Sequence, residues 1–315
     1  MTRNVAFLYP GQGAQHVGMG FDLYQTYTEM RQIFDRADRF LGFSLSRLCF
    51  EGPQEELDQD LNAQLAVYTL SCGLAEILKT QNVRPDAVAG YSSGFYAAAY
   101  TAGCFDFDYG LEIVWRAGKI LLDEGCKING SMAVIFGLPL KEVEDICQQV
   151  KNVKVAIINT PRQIIISGLD ASIKKAMTLS LTAGALDAYI LSVATAYHSG
   201  FMEPCNGRFL KEIKGQHLMS PKIPLMSYLT LDYVSDPQEL KDIMATQLSN
   251  PVLWVDLIKK LGHNNIRLLI EVGPGAILFR TVRWIDRKLE ILTTATEKGL
   301  KEAVNKFDKL VKSPI

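Results

Sequence analysis

A serine at the centre of a Gly-x-Ser-x-Gly frame is the first residue whose type and setting could do covalent chemistry. Ser92 lies between Gly90 and Gly94 in AVAGYSSGFYAAAY, residues 87–100. The apolar residues before it and the small residues after it predict a strand, a sharp turn and a helix. Such a turn exposes the hydroxyl beside backbone N–H groups that can hold an oxyanion. The same pattern also suits a glycine-rich turn that performs no chemistry.

A serine nucleophile requires a base, and one of the four histidines occupies a suitable place. His198, in VATAYHSGFMEP, is predicted to follow a strand and precede a helix, where α/β proteins place site residues. The remaining histidines have the contexts of surface loops: His16, His217 and His263. His198 is therefore the candidate general base.

Two further glycine-containing turns follow predicted strands. GQGAQHVGMG, residues 11–20, lacks the spacing of a P-loop or of a dinucleotide-binding turn. It offers backbone N–H groups and the Gln12 amide, which could polarise a carbonyl group. EVGPGAILF, residues 271–279, is better explained as a turn between a strand and a helix.

Length and composition indicate a globular enzyme. The chain has 315 residues, 48% of them hydrophobic and 21% charged, with a net charge of −1. The absence of a basic stripe argues against nucleic-acid binding, and the first apolar run is too short for a signal peptide or membrane span. The six cysteines form no Cys-x-x-Cys pair and the histidines have no metal-ligand spacing. We therefore expect a cytoplasmic protein with no metal site and no nucleic-acid or membrane partner.

Short apolar runs alternate with helical segments, which predicts an α/β fold. Between residues 130 and 195 the predicted order changes to βαββαβ, the ferredoxin-like pattern. We interpret residues 129–196 as a small subdomain inserted into a larger α/β domain, which comprises residues 1–128 and 197–315.

Seven segments together resemble the malonyl-CoA:acyl-carrier-protein transacylase family. They are YPGQGAQHVGMG, NAQLAVY, GYSSGFY, INTPRQIIISG, AYHSGFMEP, QLSNPVLW and EVGPGAIL, in this order, and the similarity extends over about residues 4 to 300. The resemblance implies a hydrolase-like α/β domain with a parallel sheet core and an inserted ferredoxin-like subdomain. It also implies transfer of an acyl group from coenzyme A to an acyl carrier protein in fatty acid or polyketide synthesis.

The resemblance assigns roles to individual residues. Ser92 would attack the thioester carbonyl of an acyl-CoA, and His198 would take the serine proton. The backbone N–H groups of Gln12 and Ser93 would hold the oxyanion. Gln247, in QLSNPV, matches the family residue whose main-chain carbonyl orients the histidine. The phosphopantetheine thiol of the carrier protein would then accept the acyl group, with no tightly bound cofactor.

The chain departs from the family pattern at three positions. Tyr91 and Phe95 replace a histidine and a glutamate around the nucleophile. Ala117 stands where the family has its carboxylate-binding arginine, and Arg116 is one residue early. One residue turns a helical side chain by about 100°, so Arg116 would reach the pocket only if the helix were rewound. Tyr197, which precedes the candidate base, resembles the malonyl-type versions.

These departures leave more than one activity open. Malonyl transfer through acyl-Ser92 is the first expectation, with Arg116, Tyr91 and Tyr197 in contact with substrate. Transfer of a neutral acyl group and hydrolysis of carrier-protein thioesters are the alternatives on the same fold. A non-catalytic docking subunit would be expected to lack Ser92 or His198, and both are present. Relatives of this size are commonly monomers, so we expect a monomer.

Overall fold

The structure, a computed structural model, describes residues 4–193, 195–213 and 217–312. Within these ranges nine strands form two sheets. The strands are β1 Val5–Tyr9, β2 Ala87–Gly90, β3 Gly130–Phe136, β4 Val153–Thr160, β5 Gln163–Leu169, β6 Asp187–Ile190, β7 Leu225–Met226, β8 Leu268–Glu271 and β9 Glu290–Thr293.

Fourteen α-helices and one short 3₁₀-helix, Gly200–Met202, complete the described part of the chain. The α-helices are α1 Phe21–Thr26, α2 Thr28–Leu41, α3 Leu45–Glu51, α4 Gln54–Leu57, α5 Asp60–Thr80, α6 Gly94–Thr101, α7 Phe107–Gly125, α8 Leu140–Gln149, α9 Asp170–Thr182, α10 Glu203–Glu212, α11 Pro237–Thr246, α12 Trp254–His263, α13 Ile277–Ile285 and α14 Glu297–Lys312.

The larger sheet is parallel, with the strand order β7-β2-β1-β8-β9. Its central strand β1, VAFLY, is buried along its whole length. A strand covered on both faces reads as a continuous apolar run, which explains why this segment does not alternate. In register, Leu8 lies opposite Ala89 on one side and Glu271 on the other. The carboxyl ends of the strands meet at one edge, where open α/β sheets bind ligands.

The smaller sheet is antiparallel, with the order β4-β5-β3-β6 and the helices α8 and α9 packed against it. Side chains alternate between the two faces of a strand. In β5, Ile164 and Ile166 therefore pack with the helices, whereas Ile165 joins the core shared with the larger sheet. The face that carries Ile165 also forms one wall of the cavity described below.

Helix α5 is the central buried helix of the part of the fold that contains the parallel sheet. It is apolar and long enough to cross a membrane, but 83% of that stretch is buried inside the protein. It contacts α2, α6 and α7. Near its start it carries two buried polar residues, Asp60 and Gln64, and Gln64 lines the cavity at the edge of the parallel sheet.

The predicted α/β class is confirmed, with a parallel sheet and a small antiparallel sheet in βαββαβ order. The segment KIPLMSYL forms a strand only over Leu225–Met226. The strand ends there because the backbone N–H of Ser227 donates to Asp232 and that of Leu231 donates to Ser227, so that the chain turns back. The division into residues 1–128 with 197–315 and residues 129–196 stays a prediction.

Two glycines allow the start of α6 to touch the ends of β1 and β2. A Cβ on Gly94 would lie 2.2 Å from the carbonyl oxygen of Tyr9 and 2.6 Å from that of Pro10. A Cβ on Gly90 would lie 2.2 Å from the backbone nitrogen of Phe95. The atoms in the way belong to the backbone and cannot move aside, so only glycine fits at these positions.

We expect Gly94→Ala to lower the free energy of unfolding by about 3 kcal/mol or more, because it forces the start of α6 away from the backbone at the end of β1. Gly207→Ala is the matched control, since Gly207 lies on the exposed side of α10 with nothing within 4 Å of an added Cβ. The free energy of unfolding of the control is expected to rise by up to about 1 kcal/mol, because alanine has a higher helix propensity than glycine. Urea denaturation followed by circular dichroism compares them, and equal stabilities would contradict the close approach.

Candidate active site

Ser92 occupies the turn between β2 and α6 in a left-handed conformation, with a φ of 51°. Residues with a side chain seldom adopt such a φ, and a strained nucleophile position is a common feature of strand-to-helix elbows. The turn lies at the carboxyl edge of the parallel sheet and lines a cavity with Ser93. The predicted strand, turn and helix around Ser92 are confirmed.

His198 faces Ser92 from the other part of the chain. The hydroxyl of Ser92 and Nε2 of His198 are 2.8 Å apart. Nδ1 of His198 lies 2.9 Å from the carbonyl oxygen of Gln247 and 3.0 Å from that of Asn250. Because carbonyl oxygens only accept hydrogen bonds, Nδ1 carries the proton and donates it to them. Nε2 is then unprotonated and can accept the proton of Ser92.

Of the two carbonyl oxygens that receive Nδ1–H, that of Gln247 belongs to the C-cap residue of α11, and that of Asn250 lies in the turn that follows. The final carbonyl groups of a helix have no partner within the helix, and they form the negative end of its dipole. Gln247 is buried, and its side-chain Oε1 accepts a hydrogen bond of 3.1 Å from the Tyr228 hydroxyl. The main chain at the end of α11 therefore takes the place of the acid of a Ser-His-Asp triad.

Burial lowers the pKa of His198 to about 4, and the hydrogen bonds to the Asn250 and Gln247 carbonyls act in the opposite direction. The side chain is 4% exposed, so an imidazolium would lose most of its hydration. At neutral pH the ring is uncharged and competent as a base.

The loop after β1 lies beside the nucleophile. The backbone N–H of Gln12 donates to Oγ of Ser93 at 3.1 Å. An added Cβ on Gly11 would be 3.4 Å from the Ser93 nitrogen, which shows how closely the two segments approach. Ser93 immediately precedes α6, where backbone N–H groups lack helical partners. The two N–H groups assigned to the oxyanion thus lie on neighbouring segments, and that of Gln12 is engaged by Ser93 Oγ.

A buried hydrogen-bond network holds the Gln12 side chain in place. Its Nε2 donates to Oδ1 of Asp60 at 2.5 Å, and its Oε1 accepts from Gln64 at 3.1 Å. The hydroxyl of Tyr197 donates to the other oxygen of Asp60. Burial raises the pKa of Tyr197 well above its ordinary value, so this hydroxyl stays protonated and remains a donor. The network fixes the oxyanion loop relative to the residue before His198.

Tyr91 joins the two sheets at the site. Its hydroxyl donates to Oδ1 of Asn159, on β4, at 2.6 Å. Its ring meets Trp254 edge to face, with centroids 5.3 Å apart. Tyr91 is therefore a fixed wall of the cavity between the sheets, and its contact with substrate stays a prediction.

The cavity has a volume of about 320 Å³ and contains Ser92 and His198 in its lining. The smaller sheet and the segment after it supply apolar side chains: Met132, Val134, Ile157, Ile165, Leu191 and Val193. The polar lining consists of amides, hydroxyls and the neutral imidazole. No lysine or arginine is among the described residues that line it.

Arg116 was predicted to contact substrate, but the structure does not bring it to the cavity. Its guanidinium pairs with Glu112 at 2.7 Å and with Glu212 of α10. Helix α7 is continuous through this region, so the one-residue offset turns Arg116 away. Ala117 is buried, and Leu121, one turn further on the same face, lines the cavity. A cation at position 117 would face the site, and this chain has none there.

The structure brings together all of the other residues that the sequence singled out. Those around the cavity are Gln12, Tyr91, Ser92, Ser93, Tyr197, His198 and Gln247. The sequence analysis missed the Asn250 carbonyl and the roles of Asp60, Gln64 and Asn159. Gln64 and Asn159 lie in two of the motifs, NAQLAVY and INTPRQ, but nothing in those letters indicates their partners. His16, His217 and His263 are exposed, as predicted.

Comparison with known proteins identifies the family. The acyl transferase domain model matches residues 6–299. The chain belongs to the acyl transferase domain family. It is 32% identical over 304 residues to the malonyl CoA-acyl carrier protein transacylase of Bacillus subtilis, covering 95% of this chain and 96% of that one. A polyketide-biosynthesis malonyl CoA-acyl carrier protein transacylase of the same organism is 31% identical, with 91% and 99% covered.

Solved structures of such transferases have the same fold. The malonyl CoA-acyl carrier protein transacylase of Coxiella burnetii superposes with a TM-score of 0.93 at 30% identity, covering 96% of this chain and 97% of that one. A malonyl-transacylase in complex with a type II polyketide synthase acyl-carrier protein superposes with a TM-score of 0.92 at 27% identity, covering 96% and 99%. The family resemblance and the fold inferred from sequence are confirmed.

No group of three or more His, Cys, Asp or Glu side chains placed to hold a metal ion occurs in the described part of this acyl transferase. The Ser92–His198 pair and the backbone N–H groups beside it offer the chemistry of a serine nucleophile with a neighbouring base.

We expect acylation of Ser92 by p-nitrophenyl acetate to proceed at a constant rate from about pH 5.5 to pH 8. The base works only when unprotonated, and the lowered pKa of about 4 moves the loss of activity below pH 5. The burst of p-nitrophenol measures this step. His198→Ala should slow it about 10²- to 10⁴-fold. A midpoint near 6.5 in the unsubstituted protein would contradict the buried, neutral imidazole.

Proposed function

We propose that this acyl transferase carries malonyl groups from malonyl-CoA to the phosphopantetheine thiol of an acyl carrier protein, through an ester on Ser92. The observation that carries the proposal is the 2.8 Å contact between Ser92 Oγ and His198 Nε2, with Nδ1 held by main-chain carbonyls. The names of the relatives from Bacillus subtilis and Coxiella burnetii support the choice of reaction.

The first half-reaction loads the enzyme. His198 Nε2 takes the hydroxyl proton while Ser92 Oγ bonds to the thioester carbonyl carbon. The backbone N–H groups of Gln12 and Ser93 stabilise the oxyanion, and the hydroxyl of Ser93 must turn away from Gln12 to admit it. The C–S bond then breaks, and the departing sulfur of coenzyme A takes the proton from His198. The product is acyl-Ser92 and free coenzyme A.

The second half-reaction reverses these steps with a different thiol. The carrier protein's phosphopantetheine thiol gives its proton to His198, and its sulfur attacks the ester carbonyl. The bond to Ser92 Oγ breaks, and His198 returns the proton to that oxygen. Because one product leaves before the second substrate reacts, ping-pong kinetics follow.

A neutral acyl group is a second candidate substrate, and the lining of the cavity favours it. With Arg116 engaged by Glu112 and Glu212, a malonyl carboxylate would find amide and hydroxyl donors but no guanidinium. A hydrogen bond to a charged group is worth about 1.5–3 kcal/mol, which is the selectivity that such an arginine would add. The same cavity accommodates an uncharged acyl chain against the apolar side chains of the smaller sheet.

We further propose that the enzyme acts as a monomer in the cytoplasm, without a tightly bound cofactor. The six cysteines, which form no Cys-x-x-Cys pair, support the cytoplasmic location, and the length of the chain, at which such transferases are commonly monomers, supports the monomer. Multi-angle light scattering tests the oligomeric state, and a mass of twice 35.0 kDa would refute the monomer.

Incubation with malonyl-CoA should add one malonyl group to the protein, and Ser92→Ala should abolish the adduct without loss of fold. Intact-protein mass spectrometry measures the adduct, and circular dichroism checks the fold. The adduct should persist for minutes and disappear on addition of holo carrier protein. Rapid loss to water in the absence of carrier would identify a hydrolase instead, and a malonylated Ser92→Ala variant would exclude Ser92 as the nucleophile.

We expect malonyl-CoA to acylate the enzyme no more than about tenfold faster than acetyl-CoA, because the missing guanidinium contact corresponds to a factor of ten or more. Arg116→Ala should leave this ratio unchanged, since Arg116 does not line the cavity. Stopped acylation reactions with each thioester give the two rate constants. A malonyl preference of several hundredfold that disappears in Arg116→Ala would show that Arg116 binds the carboxylate after all.

A further inference from the structure

A buried carboxyl group lies against the wall of the active site, and the mechanism above assigns it no role. Asp60 is 7% exposed, and it is not among the described residues that line the cavity. It is the first residue of α5. The N–H groups and the dipole at a helix N-terminus favour a negatively charged side chain there. The start of α5 is therefore a rigid and favourable place for a buried carboxylate.

The two oxygens of this carboxylate accept hydrogen bonds from loops that are far away in sequence. Oδ1 accepts from the Gln12 side-chain amide at 2.5 Å, across 48 positions of the chain. The other oxygen accepts from the Tyr197 hydroxyl, across 137 positions. The first loop supplies the Gln12 backbone N–H that the mechanism assigns to the oxyanion, and the second continues into His198. Asp60 thus joins the oxyanion loop to the loop of the base.

The backbone at His198 has a conformation that needs such support. Its φ is 58°, in the left-handed region that residues with a side chain seldom adopt. A conformation of this kind persists only where the surrounding structure holds the chain in place. Next to the base, the Ser199 hydroxyl donates to the Ala196 carbonyl at 2.6 Å, and the buried side chain of Tyr197 is held by Asp60. Loss of the Asp60 contact would therefore weaken the hold on the chain just before the base.

Both donors to Asp60 are themselves fixed in direction. Burial and the neighbouring carboxylate raise the pKa of Tyr197 well above its ordinary value, so its hydroxyl keeps its proton and donates. The Gln12 amide is anchored at its other end, where Oε1 accepts from Gln64 at 3.1 Å. An amide in place of the carboxylate would turn an N–H group toward one of the two donors, and two donors cannot form a hydrogen bond. Asp60→Asn therefore keeps the shape of the side chain but loses one of the two hydrogen bonds.

We propose that Asp60 is a positioning residue that aligns both the oxyanion loop and the base with Ser92, and this inference rests on the proposed transfer reaction. Asp60 does not line the described cavity, so it acts through Gln12 and Tyr197. Oxyanion donors bind most strongly when charge develops on the carbonyl oxygen, so their alignment affects the transition state more than the bound thioester. Asp60 should therefore govern the rate constant of acylation rather than the affinity for acyl-CoA.

Single-turnover acylation by malonyl-CoA and by acetyl-CoA tests this role, because it yields the rate constant at saturation and the half-saturating thioester concentration separately. The variants are Asp60→Asn and Tyr197→Phe, and the matched control is Asp22→Asn. Asp22 also lies in the first turn of a helix, and its oxygens accept from the backbone N–H groups of Leu23 at 2.9 Å and the distant Glu297 at 2.8 Å. It is absent from the described lining of the cavity. Urea denaturation records the stability of every protein.

Asp60→Asn should lower the rate constant of acylation about 10- to 100-fold, with the half-saturating concentration within about threefold of that of the unsubstituted protein. Tyr197→Phe breaks a single hydrogen bond and should lower the rate constant about three- to tenfold. Asp22→Asn should stay within about twofold, even where it lowers stability as much as Asp60→Asn does.

Three results would overturn the proposal. The first is a rate constant for Asp60→Asn within about twofold of that of the unsubstituted protein, and the second is a loss confined to the half-saturating concentration. The third is an equal loss in Asp22→Asn, since the effect would then follow stability alone. If Asp60→Asn does not fold, Tyr197→Phe is judged by the same criteria.

The proton on His198 Nδ1 gives a second readout that a general loss of stability would not move. Its hydrogen bonds to the Gln247 and Asn250 carbonyls should give a resolved downfield proton resonance in the unsubstituted protein. That resonance should shift or broaden in Asp60→Asn and keep its position in Asp22→Asn. An unchanged resonance in Asp60→Asn would refute the role of Asp60 in positioning the base.

Failure of the proposed function would be distinct from failure of this inference. In the first case the unsubstituted protein would form no ester on Ser92 with either thioester. In the second case the unsubstituted protein would be acylated normally, and Asp60→Asn would be acylated equally fast.

Discussion

The direct contact of the α6 backbone with the ends of β1 and β2 is the constraint on which the active site depends. Gly94 lies against the Tyr9 and Pro10 carbonyls, so the chain leaves β2 and enters α6 within a few residues. This short passage forces the positive φ of Ser92 and aims its hydroxyl out of the sheet edge. It also brings the loop after β1 beside the start of α6, so that the N–H groups of Gln12 and Ser93 become neighbours. A single steric condition thus positions both the nucleophile and the groups that would stabilise its oxyanion.

Chemistry and acyl selection come from different parts of the fold. The part of the fold that contains the parallel sheet supplies Ser92, His198 and the carbonyls that hold His198. The antiparallel sheet supplies most of the apolar cavity wall. The hydrogen bond between Tyr91 and Asn159 ties the two parts together at the point where an acyl group would lie. Substitutions on the inner face of the small sheet can therefore change the acyl group without moving the Ser92–His198 pair. Likewise, the absence of a lysine or arginine from the described lining of the cavity depends on the residues in a single turn of α7.

Local patterns in the sequence predicted most of the fold, because strands β1 to β5 are short apolar runs and the long helices carry apolar residues at helical spacing. Ser92 and His198 were found because a nucleophile and a base need particular residue types in particular settings. The predicted contact of Arg116 with substrate was wrong, because α7 is not rewound and the one-residue offset rotates the side chain away from the site. The Asn250 carbonyl could not be predicted, because every residue has a carbonyl group. The Asp60–Gln12–Tyr197 network was missed because its members are far apart in sequence. KIPLMSYL proved shorter as a strand because backbone hydrogen bonds between Ser227 and the residues four and five positions later turn the chain, and the apolar pattern of the segment does not reveal them.

The use of main-chain carbonyls to hold His198 has a consequence for how this enzyme can change over generations. In a Ser-His-Asp triad one nucleotide change can delete the acid. Here the acceptors at positions 247 and 250 belong to the backbone, which every amino acid provides. Mutation can remove them only by altering the path of the chain at the end of α11. The orientation of His198 therefore does not depend on which side chains occupy positions 247 and 250. It is preserved through evolution as long as the backbone keeps its path there.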